Sequence, residues 1–154
     1  MRGIFLGLGS NLGERAANLE RARAELAAGG APTLRASAVR ETEPFGHRDQ
    51  PRFLNQVLEV SWEGSPEELR QLGEEVEVRL GRRPSFRWGP RLIDIDLLLF
   101  GERVVDGPGL AVPHPGLEAR TFVLEPLLEL EPDLVHPVTR TPLANRLREL
   151  ARQS

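Results

Sequence analysis

The feature that most constrains this chain is residues 92–100, where two aspartates interrupt seven apolar residues. Such a run, followed by Gly101, predicts a β-strand. Residues i and i+2 of a strand point to the same face, so Asp94 and Asp96 are expected on one side, about 7 Å apart. Two buried like charges are costly unless a cation neutralises them. Mg²⁺ suits this task because it binds one or two carboxylates and completes its shell with phosphate oxygens. The competing interpretation is a half-buried strand with a solvated acidic face.

Four arginines precede this strand, at Arg82, Arg83, Arg87 and Arg91. The planar guanidinium group matches phosphate oxygens in two-pronged hydrogen bonds. Acids for a cation beside arginines for phosphates are the groups that phosphoryl transfer requires. The competing interpretation of the arginines alone is a solvated surface loop.

Composition excludes several kinds of chemistry. All 20 basic residues are Arg, so a Walker A lysine, a Schiff base and a lysine general base are excluded. Cys is absent, which excludes disulfides, thiolate zinc sites and a cysteine nucleophile. A net charge of −3 argues against a chain-wide attraction to nucleic acid or an acidic membrane. The first apolar run is too short for a signal peptide or a membrane span. We expect a soluble, cytoplasmic monomer.

Apolar periodicity and turn residues predict one domain over residues 1–154. Strands are expected at 3–8, 33–41, 53–62 and 92–100, with a short strand pair flanked by Gly101 and by Gly107-Pro108-Gly109. Helices are expected after an Asn11 cap, after a Ser65 cap, over 117–130 and after Thr141. This order predicts an α+β fold: a ferredoxin-like βαββαβ core with a largely antiparallel sheet, helices packed on it and long active-site loops.

The glycines at 7, 9 and 13 follow the first strand. Their spacing, GxGxxxG, is one residue longer than the dinucleotide-binding pattern, and no parallel βαβ series follows. A tight strand-to-helix turn is the better interpretation.

Isolated ring side chains could also belong to a site. His114 lies between two prolines and close to Arg120, where it could donate to a phosphate. Phe53, Trp88 and Phe122 adjoin polar segments and could stack on a planar heterocycle. Ordinary turn or core packing is the alternative for each of these residues.

Taken together, several segments resemble the 6-hydroxymethyl-7,8-dihydropterin pyrophosphokinase family of folate biosynthesis. The segments are Gly-Ser-Asn-Leu-Gly at 9–13, Thr-Glu-Pro-Phe-Gly at 42–46, Phe-Leu-Asn at 53–55, Arg-Trp-Gly-Pro-Arg at 87–91, Asp-Ile-Asp at 94–96 and Val-Pro-His-Pro at 112–115. They cover essentially the whole chain in the same order, and the arginine-to-aspartate stretch is highly specific.

The resemblance implies that two Mg²⁺ ions assist transfer of the ATP diphosphate to the pterin hydroxyl, with AMP as the other product. The only partners it implies are these small molecules, ATP and the pterin. By position, it implies metal ligands at Asp94 and Asp96, which count as catalytic together with Arg82 and Arg91. It implies ATP contacts at Glu77, Arg82, Arg91, His114 and Arg120. It implies pterin contacts at Thr42, Pro44, Phe45, Gly46, Phe53, Asn55, Trp88 and Phe122, with Phe53 and Phe122 on either side of the ring.

Some positions depart from the family pattern. Glu43-Pro44 stands where Pro-Pro is frequent, and Pro115-Gly116 follows His114 in place of the usual residues. Two other functions use the same residues. A magnesium-dependent phosphohydrolase would release phosphate without a pterin, and a non-catalytic binding module would tolerate loss of both acids.

Overall fold

The computed structural model describes residues 3–43, 49–81 and 92–153. Its elements in chain order are β1 (Ile4–Ser10), α1 (Arg15–Ala28), β2 (Thr33–Ala36), β3 (Arg40–Thr42), β4 (Phe53–Val60), α2 (Pro66–Arg79), β5 (Asp94–Phe100), β6 (Val105–Gly107), β7 (Leu110–Val112), a short 3₁₀ helix (Leu117–Ala119), α3 (Thr121–Leu130) and α4 (Leu143–Gln153). No helix in these three ranges is both long and apolar enough to cross a membrane.

The main sheet has the strand order β2–β4–β1–β5, and β3 also pairs with β4. Every strand pair in it is antiparallel. The pair β6–β7 forms a separate hairpin. The α+β class and the antiparallel sheet are therefore confirmed. The ferredoxin-like arrangement stays a prediction with which this strand order agrees.

Two apolar clusters lie on opposite faces of the sheet. One joins β1 to α1 and α2, through residues such as Leu6, Leu19 and Val76. The other joins Phe5 of β1 to α3 and α4, through residues such as Leu124. Because both faces of β1 are covered, its sequence is apolar at successive positions instead of alternating.

Helix α2 begins as predicted. Ser65 accepts the Glu68 backbone N–H at 3.1 Å, and Glu68 accepts the Ser65 N–H at 2.8 Å. This capping box satisfies two helix-terminal donors, and Pro66 occupies the first turn, where its missing N–H costs nothing.

The predicted start of α1 is wrong. The helix begins at Arg15, and Glu14 precedes it without a side-chain cap. Asn11 is buried and instead donates to Gln50 Oε1 and to Pro51 O, both at 2.9 Å. The Asn11 amide therefore binds the segment that leads into β4, and this contact between distant parts of the chain takes the place of a helix cap.

The predicted strand 33–41 is divided into β2 and β3. At the division, the Ser37 hydroxyl accepts the Val57 N–H at 3.0 Å, while the Ser37 N–H donates to Val57 O at 2.9 Å. A side-chain bond replaces part of the ladder there, which ends β2 before β3 resumes pairing with β4.

Candidate active site

A cavity of about 290 Å³ lies on the α3 side of the sheet. The strand register determines which residues form the floor of this cavity, because directly paired residues in an antiparallel sheet project to the same face. Gly9 pairs with Asn55 on one side and Asp94 on the other. Gly7 likewise pairs with Val57 and Asp96. The two acids thus share one face of β5, as predicted, with glycines beside them.

The glycines make room for this cavity. A Cβ at Gly9 would lie 3.0 Å from Asn55 Oδ1 and 3.4 Å from Phe53 Cδ1. Both glycines are inside β1, which continues to Ser10, two residues beyond the predicted end of the strand, so the strand-to-helix turn predicted from the glycines begins only after Ser10. Sequence reasoning missed their place in the site. The available signal was Gly at alternate positions of an apolar strand, which often marks close approach by a ligand.

Four of the predicted pterin contacts line this cavity: Thr42, Phe53, Asn55 and Phe122. The Asn55 amide donates to the Thr42 hydroxyl, which fixes the orientation of the Asn55 carbonyl oxygen. Phe53 comes from β4 and Phe122 from the first turn of α3, so two aromatic rings border one space. Glu43 also lines the cavity and was not predicted.

A second cavity, of about 620 Å³, lies along β5. Its walls come from α2, through residues that include Glu77, and from the β6–β7 hairpin and the segment after it. Asp94, Asp96 and His114 line both cavities. The acids and the imidazole therefore lie where the two cavities meet.

The His114 side chain is fixed by the turn that follows it. Its Nδ1 accepts the Gly116 N–H at 3.0 Å, so the neutral ring carries its proton on Nε2. Burial lowers the pKa of His114; the Arg120 charge lowers it further, while the Asp96 charge opposes both. A neutral His114 can donate from Nε2 to a ligand oxygen.

Arg120 lies at the N-terminus of α3 and lines the first cavity. Its guanidinium carbon is 5.9 Å from the Phe122 ring centroid. A Cβ at Gly116 would come within 2.6 Å of Arg120 Nε, so a glycine is what lets the arginine lie there. The departure from the family pattern at this position thus has a local consequence.

Glu77 is 5% exposed and lines the second cavity. Its carboxylate accepts the Ile95 N–H at 2.8 Å, between the two aspartates. This contact joins α2 to β5 and could not be read from the sequence.

The remaining predicted site residues lie outside the described residues. They are Pro44, Phe45, Gly46, Arg82, Trp88 and Arg91.

The acid pair is suited to a cation whose ligands come partly from the protein and partly from a substrate. Within residues 3–43, 49–81 and 92–153, no three His, Asp or Glu side chains converge into a complete metal site. Two carboxylates facing two open cavities are instead the partial ligand set that Mg²⁺ accepts when phosphate oxygens and water supply the rest.

Comparisons with known proteins agree on one family. Residues 5–132 match the family model described as 7,8-dihydro-6-hydroxymethylpterin-pyrophosphokinase. A protein of Aquifex aeolicus named 2-amino-4-hydroxy-6-hydroxymethyldihydropteridine pyrophosphokinase is 42% identical over 93% of this chain and 89% of its own length. A Bacillus subtilis protein of the same name is 42% identical over 82% of this chain and 76% of its own.

Longer proteins contain a similar unit. The folic acid synthesis protein fol1 of Schizosaccharomyces pombe is 40% identical over 97% of this chain, which spans only 20% of that protein. A solved structure described as HPPK-DHPS in complex with substrates has a TM-score of 0.79 at 11% identity, and this chain covers 44% of it. At that identity, the likeness supports the fold alone.

Proposed function

Because the chain belongs to the 7,8-dihydro-6-hydroxymethylpterin-pyrophosphokinase family, it is a transferase of folate biosynthesis, and we propose how its two cavities carry out the transfer. The pterin alcohol oxygen attacks the β-phosphorus of ATP and loses its proton to water. The bond from that phosphorus to the bridging oxygen breaks, and AMP leaves with the oxygen. The products are AMP and the pterin diphosphate.

The first cavity is the proposed pterin site. Phe53 and Phe122 offer ring faces to a planar heterocycle, and the Asn55 carbonyl oxygen offers an acceptor to its amino edge. β4 and α3 thus offer the ring apolar faces together with a polar group that can fix its orientation, a combination typical of small-molecule sites. Pro44, Phe45, Gly46 and Trp88 are proposed to complete it on the resemblance alone.

The second cavity is the proposed ATP site, with the triphosphate directed toward the place where the two cavities meet. The single observation that carries this assignment is that Asp94, Asp96 and His114 line both cavities. Reacting groups that enter from the two sides would meet there, which converts the transfer into a reaction between positioned partners.

Asp94 and Asp96 are the proposed ligands of Mg²⁺, and the family resemblance supports two ions. When bound, Mg²⁺ neutralises phosphate charge and lowers the pKa of the attacking alcohol. His114 donates from Nε2, and Arg120 donates from its guanidinium, to phosphate oxygens as charge moves toward AMP. Arg82 and Arg91 are proposed to do the same on the resemblance alone. No proton transfer is assigned to either aspartate.

Product analysis tests this function. The protein is incubated with ATP, Mg²⁺ and 6-hydroxymethyl-7,8-dihydropterin, and phosphorus NMR follows the products. AMP and the pterin diphosphate should form in equal amounts, and no AMP should form without the pterin. ADP or free phosphate as the main product would instead favour the phosphohydrolase. The binding module predicts no product.

We also propose that the protein acts as a monomer in the cytoplasm. Light scattering during size-exclusion chromatography should give the mass of one 17.1 kDa chain. A mass of twice that value would refute the monomer.

A further inference from the structure

The two acids sit on a strand that has one sheet neighbour among the described residues. β5 is at the edge of the strand order: among the described strands, β1 alone pairs with it in the sheet, and on its other side Leu98 O accepts the His114 N–H at 2.9 Å. An edge strand has one row of backbone groups without sheet partners, and its position is less restrained than that of a central strand. Contacts from outside the sheet can therefore help to set the position of the strand segment that carries Asp94 and Asp96.

Helix α2 supplies that support at Ile95, the residue between the acids. Glu77 Oε2 accepts the Ile95 N–H at 2.8 Å. One turn earlier, a Cβ at Gly73 would lie 3.2 Å from Ile95 Cγ2, so the helix lies against the side chain as well. Gly73 and Glu77, four residues apart on one helix face, hold the side chain and the backbone of the same residue.

Local stability does not explain these two residues. Glu77 is almost fully buried, and a buried carboxylate requires hydrogen-bonding partners, of which the Ile95 N–H is one. It also lies in the last turn of α2, where the helix dipole disfavours an acid and Arg79 is the type of residue expected. Gly73 inside the helix lowers helix stability relative to alanine. Both choices disfavour the helix and favour the contact with β5.

We propose that Glu77 and Gly73 are positioning residues that clamp Ile95 and thereby set the positions of Asp94 and Asp96. This Ile95 clamp gives Glu77 a role different from the direct ATP contact that the resemblance implies. Its catalytic consequence rests on the proposed function, because the acids matter for turnover only if they hold the metal. A misplacement of about 1 Å can cost about 100-fold in rate, so a clamp of this kind is functionally significant.

Three variants test the clamp: Glu77→Gln, Glu77→Leu and Gly73→Ala. Glu75→Gln is the matched control, since Glu75 is on the same helix but exposed and paired with Arg79 at 3.7 Å. Hydrogen exchange of the Ile95 amide, measured by NMR without substrates, reports the clamp directly. Steady-state kinetics add kcat, the KM for ATP and the Mg²⁺ concentration that gives half-maximal rate.

Gln keeps an oxygen that can accept the Ile95 N–H, whereas Leu does not. Glu77→Leu should speed Ile95 exchange about tenfold or more, consistent with loss of a hydrogen bond to a charged group. It should also lower kcat about tenfold and raise the Mg²⁺ requirement, with the KM for ATP within about twofold. Glu77→Gln should retain most of kcat. Gly73→Ala should shift the Ile95 resonances and lower kcat, and Glu75→Gln should match the wild type.

Equal losses in Glu77→Gln and Glu77→Leu, expressed in the KM for ATP and with unchanged Ile95 exchange, would show a direct nucleotide contact and overturn the clamp. If Glu77→Leu does not fold, Gly73→Ala decides: unchanged Ile95 resonances and unchanged kcat would also overturn it. Failure of the proposed function is distinguishable, since the wild type would then form no AMP while Ile95 exchange would still respond to the variants.

Discussion

Replacing Gly9 with alanine should damage the proposed pterin site while leaving the proposed ATP site intact. The added methyl group would lie 3.0 Å from Asn55 Oδ1 and 3.4 Å from Phe53 Cδ1. The first distance is shorter than an ordinary carbon–oxygen contact, so Asn55 must move by a few tenths of an ångström. That movement strains its bond to the Thr42 hydroxyl and displaces the carbonyl from the position that a pterin amino group would meet.

The size of the effect follows from the cost of moving one side chain. Holding a side chain away from its preferred rotamer costs about 0.5–1.5 kcal/mol. If this cost is added to pterin binding, the KM for the pterin rises about 2- to 12-fold. The KM for ATP should stay within about twofold, since Gly9 lines the first cavity and not the second.

Initial rates of AMP formation at varied pterin and saturating ATP measure this change. Gly7→Ala is the matched comparison: it lies two residues away on the same face, and its methyl group would meet Leu98 Cδ1 at an ordinary 3.4 Å. Its effect on the pterin KM should be smaller. An unchanged pterin KM in Gly9→Ala, or an equal rise in the KM for ATP, would refute the placement of the pterin on β1.

Other changes test separate parts of the structure. Gly116→Ala should move the Arg120 guanidinium and lower kcat about tenfold without a large change in melting temperature, because the group displaced is the flexible end of a side chain; an unchanged kcat would contradict it. Ser65→Ala should lower the free energy of unfolding in urea by about 1 kcal/mol through loss of the α2 cap, with kcat unchanged. The backbone N–H of the β2–β3 connection and the Arg40 guanidinium lower the pKa of Glu129 below its ordinary 4.5. Glu129 therefore stabilises the folded protein above its ordinary pKa, and this stabilisation is lost as the pH falls through its lowered pKa in the folded protein. The Glu129→Gln variant should consequently lose less stability in acid than the wild type. If the free energies of unfolding of the two proteins, measured in urea, fall equally as the pH is lowered through the pKa of Glu129, this assignment is wrong.

Short sequence patterns predicted the helices and strands that are stabilised by interactions between residues close together in the chain. The capping box at Ser65 sets the start of α2, and the apolar run after residue 92 gave the strand that carries the acids, with both on one face. The same reasoning failed at Asn11, where a capping residue binds a distant segment instead of its own helix. Local preference cannot reveal such a choice, because its partner at Gln50 is far away in the chain.

The candidate site was also only partly predictable, because residue types can be read from the sequence but strand pairing and helix packing cannot. Residue types indicated the acids, and the resemblance supplied the aromatic and amide positions that the structure brings together at the first cavity. The glycines of β1 were misread, because their role depends on which strands pair beside them. The contact from Glu77 to Ile95 depends on packing between a helix and an edge strand, and no spacing in the sequence encodes it.

Asp94 and Asp96 are proposed to hold the metal where the two cavities meet. Calorimetric titration of Mn²⁺ into the protein with a non-hydrolysable ATP analogue, for the wild type and for Asp94→Asn and Asp96→Asn, tests this proposal most directly. Each variant should keep its melting temperature but bind Mn²⁺ at least about tenfold more weakly, with most AMP formation lost. Wild-type Mn²⁺ affinity in both variants would contradict it.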